Sequence, residues 1–143
     1  MMIKSEILKI GSQNPIELID ITPQVQTLVE RQPLKNGLVV VTSLHTTAAV
    51  SINEKCGRLH EDFVRFAASL ADPKARYAHN HEAIDGRSNA HSHLLKYFMS
   101  TSETIVLENG QLNLGAWQRI FFVELDGPRK SRQVNVTIIG VES

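Results

Sequence analysis

SETIVLENGQLNL, residues 102–114, places two apolar-rich runs on either side of Asn109-Gly110. Asn-Gly between such runs is the strongest short hairpin signal, because a two-residue turn of the favoured hand needs positive φ at both central positions. The stretch therefore predicts antiparallel strands over 102–108 and 111–114. Working outward, the same design recurs downstream, where 118–125 and 133–141 flank a tight loop, Asp126-Gly127-Pro128-Arg129. Upstream, residues 3–10 and 16–21 mix apolar and charged residues in rough alternation, and Asn14-Pro15 separates them as two strands. The Val-rich run 38–44 reads as a strand buried on both faces, and 48–52 as another. Helices are fewer. Thr22-Pro23 predicts a helix start, with Thr as N-cap, and Val25, Leu28 and Val29 supply its apolar side. Over 58–71, Leu59, Phe63, Phe66 and Leu70 fall on one helical stripe, which Asp72-Pro73 ends. Strands outnumber helices and are joined by short turns. The expected fold is α+β: a mainly antiparallel β-sheet with a few helices packed on it, in a single domain over 1–143.

The composition narrows the function classes. The chain has 143 residues, enough for one domain with a real core, and its 15 basic side chains balance its 15 acidic ones. A duplex-binding protein carries a basic excess, so nucleic acid is not expected as a partner. One cysteine, Cys56, cannot form an internal disulfide. The first ten residues lack the apolar run of a signal peptide, and no segment approaches the ~20 apolar residues that cross a bilayer. The expectation is a cytoplasmic protein with no membrane partner.

Residues 72–92 do not fit a structural role. They are polar, aperiodic and hold His79, His81 and His91. Loops of that length in a compact domain are usually functional or disordered. His79/His81 and His91/His93 form two His-X-His pairs, which in an extended segment project the same way. His45 closes the Val-rich strand and opens His45-Thr46-Thr47-Ala48. Zinc and similar metals accept neutral imidazole, and three ligands with an open fourth position is a catalytic arrangement. The alternative is six surface or hydrogen-bonded histidines. Asn53-Glu54 and Asp62 are candidate proton carriers or partners of ligand histidines, or else part of a loop and a solvated helix face. Trp117 suits a core, an interface or a stacking platform. Arg129, Lys130 and Arg132 suit phosphate or carboxylate, or a solvated hairpin tip.

Several motifs, in one order, resemble the YjbQ-like family, sometimes labelled secondary thiamine-phosphate synthase. They are His45-Thr46-Thr47-Ala48-Ala49, Asn53-Glu54, Asp62, Tyr77-Ala78-His79, Asn89-Ala90 with His93, then 110–118 (GQLNLGAWQ) and 124–129 (ELDGPR). The resemblance spans nearly the whole chain. It implies an α+β fold assembling as a homotrimer with pockets near subunit boundaries. It also implies a divalent metal ion of the zinc type on His45, His79 and His93. This sequence departs from the family at His91, where an acidic residue is common, at Ala116 in place of a frequent Thr, and at Ser100 in place of a Gly.

The function implied is a metal-dependent reaction on a small phosphorylated metabolite, with thiamine-phosphate synthase-like activity as a secondary property. Whether the chain is an enzyme at all stays open. Arg129, with Arg132, is the expected phosphate clamp, Trp117 and Gln118 line the ring pocket, and Thr46, Thr47 and Asn53 donate hydrogen bonds. Glu54, Asp62 and Glu124 move protons or orient the histidines. Three imidazoles are an unusual choice for diphosphate transfer, because magnesium prefers oxygen ligands. A zinc-type site more naturally activates water or polarises an oxygen. The competing expectation is a non-enzymatic trimeric module that binds a metal or small anion.

Overall fold

The computed structural model describes residues 1–142; Ser143, the last residue of the expected domain, lies outside the described residues. In chain order the elements are β1 (Met2–Ser12), β2 (Glu17–Asp20), α1 (Thr22–Glu30), β3 (Asn36–Ser43), β4 (Ala48–Asn53), α2 (Gly57–Leu70), a 3-10 turn (Ala78–His81), α3 (Ala90–Lys96), β5 (Ser102–Glu108), β6 (Gln111–Leu112), β7 (Arg119–Glu124) and β8 (Arg129–Val141). Among the described residues every strand pair is antiparallel. The Asn-Gly hairpin forms as the sequence predicts, with φ of 52° at Asn109 and 78° at Gly110. The expected fold class is the observed one.

The strands divide into two sheets, β1-β8-β3-β5-β6 and β2-β7-β4. Their facing sides share one core, in which Val39, Val41, Val136 and Ile138 of the larger sheet meet Val50, Ile120 and Phe122 of the smaller. Val25, Leu28 and Val29 of α1 fill the same core. The far side of the smaller sheet packs Phe121 and Val123 against Ala67 of α2 and Leu95 of α3.

Four local expectations are corrected. β3 is buried on one face only: Leu38 stays exposed in a cross-strand row with Ile3, Ile139 and Val106. The apolar run is there because the large sheet leaves that row of its outer face uncovered, and strand residues alternate between faces. Thr22 does not cap α1. It lies inside the helix, where its hydroxyl accepts the Ile120 amide at 2.8 Å, while Asp20 accepts the Thr22 amide at 3.0 Å. On α2, Leu59, Phe66 and Leu70 are exposed; of the expected stripe only Phe63 packs on the sheet, together with His60 and Ala67, because the sheet surface accepts a line about 60° further round. Finally, the His-X-His segments are not extended. Residues 90–96 form α3, so His91 and His93 point about 200° apart. Seven residues with a polar start carry too little periodicity to announce a helix.

Two buried polar knots fix the end of the sandwich. Glu124, 0% exposed, receives two bonds from Arg132, Nη2 to Oε1 at 2.5 Å and Nε to Oε2 at 2.9 Å. Ser12 and the Asp126 amide donate to the same carboxylate at 2.8 and 3.0 Å. The second knot gathers Arg87 (3.0 and 3.2 Å), Asn89 (2.8 Å) and Arg129 (2.8 Å) on the Asp126 carboxylate. It ties the irregular 72–92 segment to the β7–β8 turn, and Ser92 adds a 2.5 Å bond to the Leu125 carbonyl.

Burial pushes the Glu124 carboxyl up, but the bonds from Arg132, the Asp126 amide and Ser12 outweigh it and hold it below the usual carboxylate range. A depressed folded-state value contributes stability that is present at neutral pH and lost as pH falls through that value. Glu124→Gln should cost about 3 kcal/mol in urea unfolding at pH 7, the scale of breaking a buried pair. The deficit against the parent should shrink on acidification. Asp126→Ala should raise amide hydrogen exchange across 78–92 while the amides of β3 and β8 keep their protection.

Candidate functional site

His45 lies on the crossover from β3, in the larger sheet, to β4, in the smaller. The chain changes sheets there, so its side chains surround the sandwich end rather than its faces. Ser43 locks the corner, its hydroxyl donating to the Ala48 carbonyl at 2.9 Å and accepting the His45 amide at 3.3 Å. The His45 ring is held by β8: the Gln133 amide donates to Nε2 at 2.8 Å. In the neutral ring the proton then sits on Nδ1, which leaves His45 as a hydrogen-bond donor.

His79, on the 3-10 turn, and His93, on α3, meet edge to face with ring centroids 4.8 Å apart. Asn89 orients His79. Its Nδ2 is spent on Asp126, so its Oδ1 faces His79 Nε2 at 3.2 Å, and the neutral His79 carries its proton there with Nδ1 free. Burial lowers the pKa of His93, and the neighbouring His79 lowers it further. Burial also lowers that of His45, with Arg132 adding repulsion. His45 and His93 are thus favoured as neutral imidazoles, the state in which metals are bound.

A polar hollow of about 260 Å³ lies between His45 and His93. His45, Thr46, Thr47 and His93 line it together with Asn89 and Arg129, and Leu44, Asp85 and Arg132 complete it. Arg132 is spent on Glu124 and on the Thr47 hydroxyl at 2.9 Å, and Arg129 is partly spent on Asp126. The cations here are largely neutralised, so the hollow offers hydrogen-bond donors more than free charge.

The site residues anticipated from sequence fall into separate places. His45, Thr46, Thr47, His93 and Arg129 come together, with His79 beside His93. Glu124 lies beneath them, wholly buried with both oxygens occupied, which suits a positioning residue and not a proton carrier. Asn53, Glu54, Trp117 and Gln118 sit at the other end of the β4–β7 ladder, where Asn53 pairs with Arg119 while Ala48 pairs with Glu124. Five residues of strand separate the ends by roughly 17 Å. Asp62 is exposed on α2, 2.5 Å from Arg65. Trp117 is 75% exposed. Asn89 orients a histidine, Arg87 anchors its loop, and Lys96 and Tyr97 stand beside His93. From the sequence none of these four takes a role: Asn89 enters only within a family motif, and neither the polar 72–92 stretch nor the short α3 has a periodic signature.

The donor types suit a zinc-type ion, but the three rings do not form a closed ligand set. Among the described residues, no three histidine, cysteine, aspartate or glutamate side chains are grouped so as to hold a metal ion. His79 and His93 make a pair, and His45 stands apart with its Nε2 lone pair engaged by Gln133. Among the described residues, no helix is long and apolar enough to cross a membrane.

Comparison with known proteins agrees with this architecture. A UPF0047 protein from Methanothermobacter thermautotrophicus is 39% identical over 140 residues, covering 98% of this chain and 94% of its own. A UPF0047 protein from Archaeoglobus fulgidus is 40% identical over 127 residues, covering 89% and 95%. The crystal structure of a YbjQ-like protein from Sulfolobus solfataricus superposes with a TM-score of 0.91 at 34% identity, covering 98% of this chain and 99% of that one. A hypothetical protein from Aeropyrum pernix gives 0.89 at 38% identity, covering 96% and 99%. The family model described as "UPF0047 protein YjbQ-like" matches residues 6–141, and the chain belongs to that family.

Proposed function

We propose that this protein binds a small phosphorylated metabolite in the hollow beside His45 and His93 and acts on it, with thiamine-phosphate synthase-like activity as a secondary property. The observation that carries the proposal is the hollow itself. It sets imidazoles, threonine hydroxyls and the Arg129 guanidinium around a space large enough for a phosphoryl group. Threonine hydroxyls and the His45 Nδ1–H would donate to phosphate oxygens, and Arg129 would add a charge-assisted bond. Arg132 keeps Thr47 in place through its 2.9 Å bond to the hydroxyl.

A zinc-type ion on His45, His79 and His93 belongs to the same proposal. The neutral His93, the His79–His93 pair and the free His79 Nδ1 support it. It requires His45 to release the Gln133 amide. Bound there, the ion would supply Lewis acidity toward a phosphoryl oxygen or water.

A homotrimer is also part of the proposal. Its support is the row of exposed Ile3, Leu38 and Val106 with the half-buried Ile139 on the outer face of the large sheet, an apolar surface of the kind that associates.

One observation favours a second reading, a non-enzymatic module that binds metal or anion. Glu124 is sealed in an ion pair, and Glu54 and Asp62 lie away from the hollow, so none of the three is placed to carry a proton there. Incubation with thiamine precursors and a panel of phosphate esters separates the two readings. Metal-dependent turnover supports the enzyme, and its absence on every substrate supports the module. Elemental analysis of protein purified without a histidine tag should find metal. His45→Ala, His79→Ala and His93→Ala should each lower the content severalfold, whereas His60→Ala, whose ring packs on Phe121 at 5.0 Å, should not. Equal loading in all four would refute the ligand assignment. Sedimentation should give three times the 16.0 kDa chain mass, and Leu38→Lys should shift it toward the monomer.

A further inference from the structure

A second hollow, of about 510 Å³, opens beside the polar one and shares His45, Thr46 and His93 with it. Its remaining wall is Lys96, Tyr97, Met99 and Thr101. The two spaces differ in chemistry. The first is lined by arginines tied to carboxylates and by hydroxyl and amide groups. The second presents an aromatic ring, a thioether and a cation. Tyr97 is 85% exposed, so its face is available and its substitution leaves the core untouched. The Lys96 ammonium donates to the Thr101 hydroxyl at 2.6 Å and forms no ion pair among the described residues. It has donors left for a ring nitrogen or carbonyl of a ligand. Aromatic rings and methionine sulfur both favour flat, polarisable partners. Trp117, expected from the sequence to serve a ring, lines neither hollow.

We propose that the second hollow is a ring subsite: it holds the flat aromatic or heteroaromatic end of a phosphate ester whose phosphate occupies the first hollow, with Tyr97 as the stacking wall. This rests on the phosphate-binding reading above. His45, Thr46 and His93, common to both linings, would then lie at the junction between ring and phosphate. Selectivity would come from Lys96 and Tyr97, and anion capture from the threonines and Arg129.

Titration of the full-length protein with inorganic phosphate, methyl phosphate, cyclohexyl phosphate and phenyl phosphate, followed by phosphorus NMR, tests this. Phenyl phosphate should bind about five- to tenfold more tightly than methyl phosphate, the factor one aromatic contact supplies. It should also outbind cyclohexyl phosphate. Tyr97→Ala should erase the preference while leaving inorganic phosphate binding unchanged, and Tyr97→Phe should keep it. Arg129→Gln should weaken all four probes together. Equal binding of methyl and phenyl phosphate overturns the ring subsite and leaves the phosphate reading standing, as does a preference that survives Tyr97→Ala. Cyclohexyl phosphate binding as well as phenyl phosphate overturns the flat-ring assignment. Failure of every probe to bind overturns the phosphate reading and this inference with it.

Discussion

The carboxylate of Glu124 has no exposure to water and the guanidinium of Arg132 almost none, yet each is charged. Removing both from water is expensive, and only their bidentate contact, with Ser12 and the Asp126 amide completing the carboxylate, offsets that cost. The pair joins opposite layers: Glu124 ends β7 of the smaller sheet and Arg132 lies in β8 of the larger. An apolar contact there would tolerate sliding, but a two-pronged hydrogen-bonded pair does not. The sandwich end is therefore held in one register, and the crossover carrying His45 to Thr47 is pinned against it through the Thr47 hydroxyl.

From that fixed corner the rest of the candidate site is built outward. Asp126, two residues after Glu124, gathers Arg87, Asn89 and Arg129. One carboxylate thus folds a long polar segment onto the β7–β8 turn and, through Asn89, sets the proton position on His79. His79 is oriented by Asn89 and His45 by the Gln133 amide, so each ring is held by a neighbouring group. Because the arginines are occupied by these duties, the cation beside the hollows that forms no ion pair among the described residues is Lys96, and it lines the second hollow.

Much of the fold was legible along the chain. The Asn109-Gly110 turn, the strands expected over 48–52 and 102–108 and the helix expected over 58–71, all found within a residue of those bounds, follow from local rules, since turn dihedrals and strand or helix periods depend on near neighbours. Legibility ended where a neighbouring layer decides. The Val-rich β3 reads as doubly buried because composition cannot report that one sheet face has no cover. The α2 stripe reads as the packing face because periodicity reveals an apolar side and not the angle at which a sheet accepts it. A seven-residue α3 was invisible for want of period, and with it the divergence of His91 and His93.

The sequence alone determined the antiparallel α+β class, the hairpin, and the chemical types of the site: imidazole, hydroxyl, guanidinium and carboxylate. Family likeness singled out His45, His79 and His93. Tertiary structure decided which of those groups meet. Residues 45, 93 and 129 line one hollow, with His79 against His93, because two buried carboxylates tie separate segments to one end of the sandwich. Residues 53, 54, 117 and 118 are carried to the opposite end by the antiparallel β4–β7 ladder. The physical reason is range. Backbone preference acts over a few residues, whereas burying a charge obliges it to find its partner wherever the chain has brought one.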